Sequence, residues 1–378
     1  RAFRWTVADG MQDLGTLGGD WSEAWAVSAD GNVVVGRAQD ANGHWRAFRW
    51  TVADGMQDLG TLGGSESEAR GVSADGNVVV GWAQDASGQR RAFRWTVADG
   101  MQDLGTLGGD WSEAWAVSAD GNVVVGRAQD ASGQRRAFRW TVADGMQDLG
   151  TLGGSKGIAY GISADGNVVV GWAWYAREHW RAFRWTVADG MQDLGTLGGS
   201  ESEARGVSAD GNVVVGWAQD ARGYYRAFRW TVADGMQDLG TLGGSESEAR
   251  GVSADGNVVV GWAWDARGYY RAFRWTVADG MQDLGTLGGS KGIAYGISAD
   301  GNVVVGWAWY AREHWRAFRW TVADGMQDLG TLGGYYSEAR GVSADGNVVV
   351  GWAQDARGYY RAFRWTVADG MQDLGTLG

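Results

Sequence analysis

A single 45-residue unit restarts at Arg1, Arg46, Arg91, Arg136, Arg181, Arg226, Arg271, Arg316 and Arg361, and it accounts for every residue of the 378-residue chain. Eight full copies run 1–45, 46–90, 91–135, 136–180, 181–225, 226–270, 271–315 and 316–360, and a partial copy fills 361–378. A period of about 40 to 50 residues marks a propeller or solenoid, because a unit that cannot bury its own apolar face must stack on copies of itself. The repeat therefore overrides the two or three domains that length alone would suggest, and residues 1–378 read as one domain.

Each unit reads as four short strands. Ala24–Ser28 and Asn32–Ala38 flank the turn signal Asp30-Gly31, and Ala47–Val52 and Met56–Thr61 flank Asp54-Gly55. The segments are rich in Val, Trp, Phe and Thr, and no stretch carries a 3.6-residue apolar period long enough for a helix. The run Val33-Val34-Val35 is apolar on both strand faces, as expected where a sheet is packed on both sides. A four-stranded unit of about 45 residues repeated eight times predicts an all-β fold, an eight-bladed β-propeller with four antiparallel strands per blade.

The segments Ala2-Phe3-Arg4-Trp5-Thr6, Gly10 to Gly19 (GMQDLGTLGG) and Val27 to Gly36 (VSADGNVVVG) resemble the bacterial HAF repeat, an extracellular repeat family. The resemblance covers the whole chain. It implies a propeller and a location outside the cell or at the surface of a bacterium, and it implies no catalytic residues. The near-identity of the copies points to recent amplification or to engineering.

The strand count is uneven. The first–second strand pair occurs eight times, but the third–fourth pair occurs nine times, since residues 1–18 and 361–378 are the same segment. An eight-bladed ring has room for only one of them. If residues 361–378 complete the last blade, every blade is contiguous and the N-terminal hairpin is left over. If residues 1–18 do, the two ends of the chain share a blade. The chain is expected to be a monomer, with strand exchange open to whichever hairpin is left over.

Comparison of the copies separates 31 invariant positions from 14 variable ones: 20–23, 25–27, 37, 39, 40 and 42–45 of the repeat. The invariant Asp30-Gly31 and Asp54-Gly55 turns belong to one face of a propeller, so the variable loops are expected on the other. All 12 tyrosines, 16 of the 25 tryptophans and all three histidines occupy variable positions, whereas the nine phenylalanines are invariant. Tyr, Trp and Arg dominate binding hot spots. The candidate recognition residues are Trp21, Trp25, Arg37, His44 and Trp45 in the first repeat, Trp111 in the third, and Trp174, Tyr175, His179 and Trp180 in the fourth. Tyr224, Tyr225, Trp264, Tyr269 and Tyr270 follow in the fifth and sixth, Trp309, Tyr310, His314 and Trp315 in the seventh, and Tyr335, Tyr336, Tyr359 and Tyr360 in the eighth. Aromatic rings of this kind suit a protein or carbohydrate ligand. Alternatively, they close gaps between neighbouring blades in a structural repeat with no evolved ligand.

Positions 25 and 37 change together. Arg70/Trp82, Arg205/Trp217, Arg250/Trp262 and Arg340/Trp352 reverse to Trp25/Arg37 and Trp115/Arg127, with Tyr160/Trp172 and Tyr295/Trp307 in the remaining copies. Hairpin pairing would set the two opposite each other, which predicts a guanidinium-over-indole contact inside each blade. Movement of residues 20–45 as a block accounts for the same pattern.

Other chemistry is excluded more easily than assigned. The net charge of −12 argues against a nucleic-acid partner, and no run of 18 apolar residues offers a membrane span. With no cysteine, and with histidine in only three repeats, no nucleophilic constellation is formed. The recurring Asp13 and Asp30 could in principle ring a calcium ion, but Asp30-Gly31-Asn32 is better read as turn chemistry, and Ser28 as its cap. Gly15 to Gly19 precedes a strand, not a helix, which disfavours a phosphate loop. The acid–base neighbours Glu178/His179 recur as Glu313/His314, a sign of duplication. The chain is expected to be non-enzymatic, with no cofactor and no metal.

Overall fold

The computed structural model describes residues 2–6, 10–15, 18–176, 179–311 and 314–375. It is all-β: eight four-stranded antiparallel sheets follow one another along the chain as the blades of a propeller. The first blade is built from Gly18–Val27, Val33–Asp40, Trp45–Thr51 and Gly55–Asp58, hydrogen-bonded in that order. The last blade is Gly333–Val342, Val348–Asp355, Tyr360–Thr366 and Gly370–Asp373. Each blade is thus contiguous, and each straddles a repeat boundary. Residues 361–373, not the identical N-terminal segment, complete the eighth blade. Ala2–Thr6 and Gly10–Gly15 pair as a two-stranded sheet of their own, outside the eight.

The invariant residues explain the frame. In the 28–33 turn, the Ser28 hydroxyl donates to Asp30 at 2.6 Å, and Asp30 accepts the Asn32 backbone N–H at 3.0 Å. The Val33 N–H donates to Ser28 Oγ at 3.0 Å. These donors, the Ser28 hydroxyl first among them, hold the Asp30 carboxyl below the usual carboxylate range, so this aspartate is a turn cap as expected. Gly76, the second blade's counterpart of Gly31, has φ +75° and lies against Val33 of the first blade. A side chain there would be strained by backbone conformation and would overlap its neighbour.

Alternating valines put the core between blades. Val33 and Val35 pack with Ala69, Val79 and Phe93 of the second blade, while Val34 packs with Phe48 and with Val348 and Val350 of the eighth. The invariant phenylalanines from Phe48 to Phe363 are fully buried at these sheet-to-sheet contacts. Complete burial of a side chain of this size contributes about 1.5–3 kcal/mol. The ring is also closed by backbone. Ala29 N–H donates to Ala74 O at 3.0 Å, the same bond repeats from blade to blade, and Ala344 N–H returns to Ala29 O at 3.0 Å.

The observed strands differ from the expected ones mainly in the first, which starts at Gly18 instead of Ala24. Gly18 pairs with Asp40, and Gly19 passes so close to Gln39 that no side chain fits, which extends the ladder past the point where residue pattern signals it. The register then slips: Ala24 faces Gly36 but Ala26 faces Val35, leaving residue 25 on a bulge.

Candidate functional site

The bulge decides what the innermost strand presents to the propeller axis. Bulges re-aim a side chain, and here residue 25 of seven blades reaches one axial cavity of about 730 Å3. Its wall includes Trp25, Trp115, Tyr160, Arg205, Arg250, Tyr295 and Arg340, with Glu23, Arg37, Glu248 and Trp352 beside them. Sequence reading picked out only Trp25 and Arg37 among these as site residues. The others were missed because a bulge, not strand alternation, turns position 25 inward; its variability between copies was the available signal.

The expected intrablade pairing of positions 25 and 37 is corrected by this geometry. Position 37 faces position 23, as in Glu23 opposite Arg37 and Glu68 opposite Trp82. Arg37 lies over Trp25 at 5.1 Å and Arg127 over Trp115 at 5.5 Å, so the contact exists in the two reversed copies. The Arg/Trp copies instead reach across blades. Arg70 lies 4.1 Å from the Trp115 ring and 5.4 Å from Trp25, Arg205 lies over Tyr160 at 5.4 Å, and Arg250 and Arg340 flank Tyr295 at 5.0 and 4.6 Å. In the fourth and seventh blades, Trp172 and Trp307 donate their indole N–H to Tyr160 and Tyr295 at 3.3 Å.

Position 23 supplies the carboxylates around this axis, and their surroundings differ. Glu113 is clasped by Arg127 at 2.6 Å and by Arg90 of the preceding blade at 2.9 Å. Burial opposes its charge, but the arginines more than offset that and hold its carboxyl below the usual range. Glu203 has one such partner, Arg205 at 3.1 Å, and the Glu248 charge nearby. Burial therefore prevails and pushes its carboxyl up to about 7. Burial likewise raises Glu338, and the Tyr160 and Tyr295 hydroxyls.

The register confirms that loops 41–44 share a face with residues 18–23, since Gly18 pairs with Asp40 and Gln39 with Trp45. Positions 25–27 depart from that expectation, because they pair toward residues 34 and 35 and carry the variation down the axis. On the face itself the aromatic residues do not converge on one point. They meet in pairs between blades: Trp21 stands edge-on to Tyr359 and Tyr360 at 5.8 and 4.9 Å, His314 stacks on Tyr335 at 4.8 Å, and Trp315 lies 4.2 Å from Tyr336. Trp45 supports Arg37 at 4.3 Å, Tyr225 packs on Trp217 at 4.6 Å, and Lys291 sits between Tyr270 and Trp309 at 5.0 Å from each. Tyr175 and Tyr310 lie under Arg181 and Arg316 at 4.9 and 4.2 Å. Trp111, Trp174 and Trp180 line a second cavity, of about 570 Å3, between the third and fourth blades, and Tyr160 borders both cavities. Tyr224, Tyr269 and Tyr335 are exposed, whereas Trp264 is half-buried.

His44 lies 3.5 Å from Asp40 and His179 lies 3.8 Å from Glu201, both ordinary surface pairs. Glu178 and Glu313, the acidic halves of the expected acid–base neighbours, fall outside the described residues. Among the described residues no cluster of His, Cys, Asp and Glu could hold a metal ion, and no helix is long and apolar enough to cross a membrane.

No family model matches the chain, and no curated protein matches it. Solved structures do. Dipeptidyl peptidase 4 of Porphyromonas gingivalis superposes with a TM-score of 0.60 at 11% identity, over 95% of this chain and 60% of that one. A prolyl endopeptidase structure gives 0.56 at 10% identity, over 92% and 54%. A puromycin hydrolase gives 0.54 at 16% identity, over 83% and 54%. The chain spans little more than half the length of these enzymes, and at such identities the likeness shows the fold alone.

Proposed function

We propose that the protein is a non-enzymatic recognition scaffold, binding a protein or carbohydrate through the variable face and the axial cavity behind it. The observation that carries this reading is the division of the repeat. The 31 constant positions build the frame, and the 14 changing ones supply the aromatic and arginine side chains of one face and of the axis. Drift alone would favour small polar residues there, not Trp and Tyr. On its resemblance to HAF repeats we place the protein outside the cell or at a bacterial cell surface, as a closed monomeric ring.

A second reading, a structural repeat with no evolved ligand, is favoured by the interblade packing of Trp21, Tyr336 and Tyr360. The two part on one experiment. The intact chain is screened against glycans and candidate proteins, and exposed Tyr335 and Tyr224 are changed to alanine. Loss of ligand with the melting temperature moved by less than about 2 °C supports recognition. A screen without binders, or a variant that loses stability instead of ligand, supports the structural repeat.

A further inference from the structure

The axial cavity has two unlike halves. Around the ring, position 25 reads Trp25, Arg70, Trp115, Tyr160 in blades one to four and Arg205, Arg250, Tyr295, Arg340 in blades five to eight. Arg70 is withdrawn from the cavity: Glu68 holds it at 2.8 Å, the rings of Trp25 and Trp115 enclose it, and its side chain is only 17% exposed. At this position the lining from blades one to four is therefore aromatic, whereas that from blades five to eight is three guanidiniums around Tyr295.

Each of those guanidiniums has a carboxylate partner, Arg205 at Glu203 (3.1 Å) and Arg250 at the second oxygen of Glu248 (3.5 Å), but Glu248 is shared between two of them. A single oxygen of Glu248 lies 3.4 Å from Arg205 Nε and 3.3 Å from Arg250 Nε, and among the described residues neither Nε completes a hydrogen bond. Arg340 has one short contact, 2.7 Å to Glu338, and its side chain is 42% exposed. The lining sets Arg37, Arg205, Arg250 and Arg340 against Glu23 and Glu248, a local cationic excess in a chain of net charge −12. Glu203 and Glu338 stand behind the wall beside Arg205 and Arg340, at 3.1 and 2.7 Å, and burial raises both carboxyls.

We propose that this cavity binds an acidic saccharide, with a sugar face stacked on Trp25, Trp115 and Tyr160 and its anionic group held by Arg205, Arg250 and Arg340. The proposal deepens the recognition reading and rests on it. A guanidinium fork pairs two-pronged with a carboxylate or sulfate, and few groups other than a sugar bring a C–H face and an anion together on one small ring. Glu23 and Glu248 can accept bonds from hydroxyls, which a simple aromatic acid lacks. Ligand cavities run to about 300–1,000 Å3, so this one suits a short oligosaccharide better than a folded partner.

Calorimetric titration of the full chain with a galacturonate trisaccharide and with its neutral galactose counterpart tests this. The acidic sugar is expected to bind at least about tenfold more tightly, with the advantage shrinking as salt rises. Arg250→Gln and Arg340→Gln should each remove most of that advantage, Trp115→Ala should weaken both sugars, and Val277→Ala, in an exposed hairpin turn on the opposite face, should change neither. If Trp115→Ala does not fold, Trp115→Leu removes the ring while keeping apolar bulk. Equal affinity for the two sugars, an advantage that survives both arginine variants, or binding of acidic peptides alone would overturn the proposal. A ligand lost in Tyr335→Ala but kept in the cavity variants overturns it while leaving the scaffold reading intact. Absence of any ligand for the intact chain sinks both.

Discussion

Glu113 and Glu203 occupy the same repeat position and carry opposite shifts because the neighbouring blades present them with different numbers of arginines. The folded carboxyl of Glu203, at about 7, lies above its unfolded value of 4.5. The folded state then binds the extra proton, so this group's contribution to stability is present below pH 4.5, falls as pH rises to about 7, and is level above that. Glu203→Gln mimics the neutral acid. It should leave stability unchanged at pH 4 and raise it at pH 8 by on the order of 1–2 kcal/mol, since one pKa unit is worth about 1.4 kcal/mol. Denaturant melts of both proteins at the two pH values check this, and a variant less stable at pH 8 would refute it. Gly76 is the contrasting case, a residue fixed by space and not by charge. With φ +75° and Val33 of the preceding blade against it, Gly76→Ala should cost about 1–3 kcal/mol in an urea melt, more than a mid-strand Gly→Ala on an exposed edge.

At the scale of strands, much was legible and one feature was not. The Asp-Gly turns, the doubly apolar Val33–Val35 run and the invariant phenylalanines located the hairpins and the blade-to-blade core, because turn chemistry and burial leave their marks on neighbouring residues. The bulge left no such mark. Beside it Gly36 passes so close to the Glu23 carbonyl that no side chain fits, a contact between strands that sequence spacing does not display. Taking positions 25 and 37 as direct partners therefore put the arginine contacts within a blade, when Arg70 in fact bridges the first and third blades through Trp25 and Trp115. A double-mutant cycle separates the two. Arg70→Met with Trp115→Leu should show a coupling of about 0.5–1 kcal/mol, and Arg70→Met with Trp82→Leu close to none. Equal couplings would restore the intrablade contact. The composition of the recognition face was also readable, but not its arrangement, because pairs such as His314 with Tyr335 form only when one blade seats on the next.

For the molecule as a whole, the question is how a ring of eight identical frames chooses its seam. Ala362 and Leu374 pack in the seam core with Ala24 and Val34, Ala362 N–H donates to Ser22 Oγ at 2.8 Å, and the Ser22 hydroxyl donates to Gly375 O at 2.6 Å. Every one of those seam contacts from 361–375 belongs to a sequence that residues 1–15 repeat without a change. What distinguishes the copies is connection: residues 361–375 follow their own blade directly, and closing a short loop costs less chain entropy than recruiting the far end of the polypeptide. Removal of residues 1–17 should therefore leave the melting temperature within about 2 °C of the parent. Removal of 361–378 should still give a closed ring, with the N-terminal hairpin completing the eighth blade, at a moderate loss of stability. Removing both leaves Val348, Val350 and Ala24 uncovered at the seam and should produce an open, association-prone chain. Melting temperature and size-exclusion elution of the three deletions decide the matter. If loss of 361–378 alone already opens the ring, identity of sequence does not suffice, and the seam depends on the covalent continuity of the last blade.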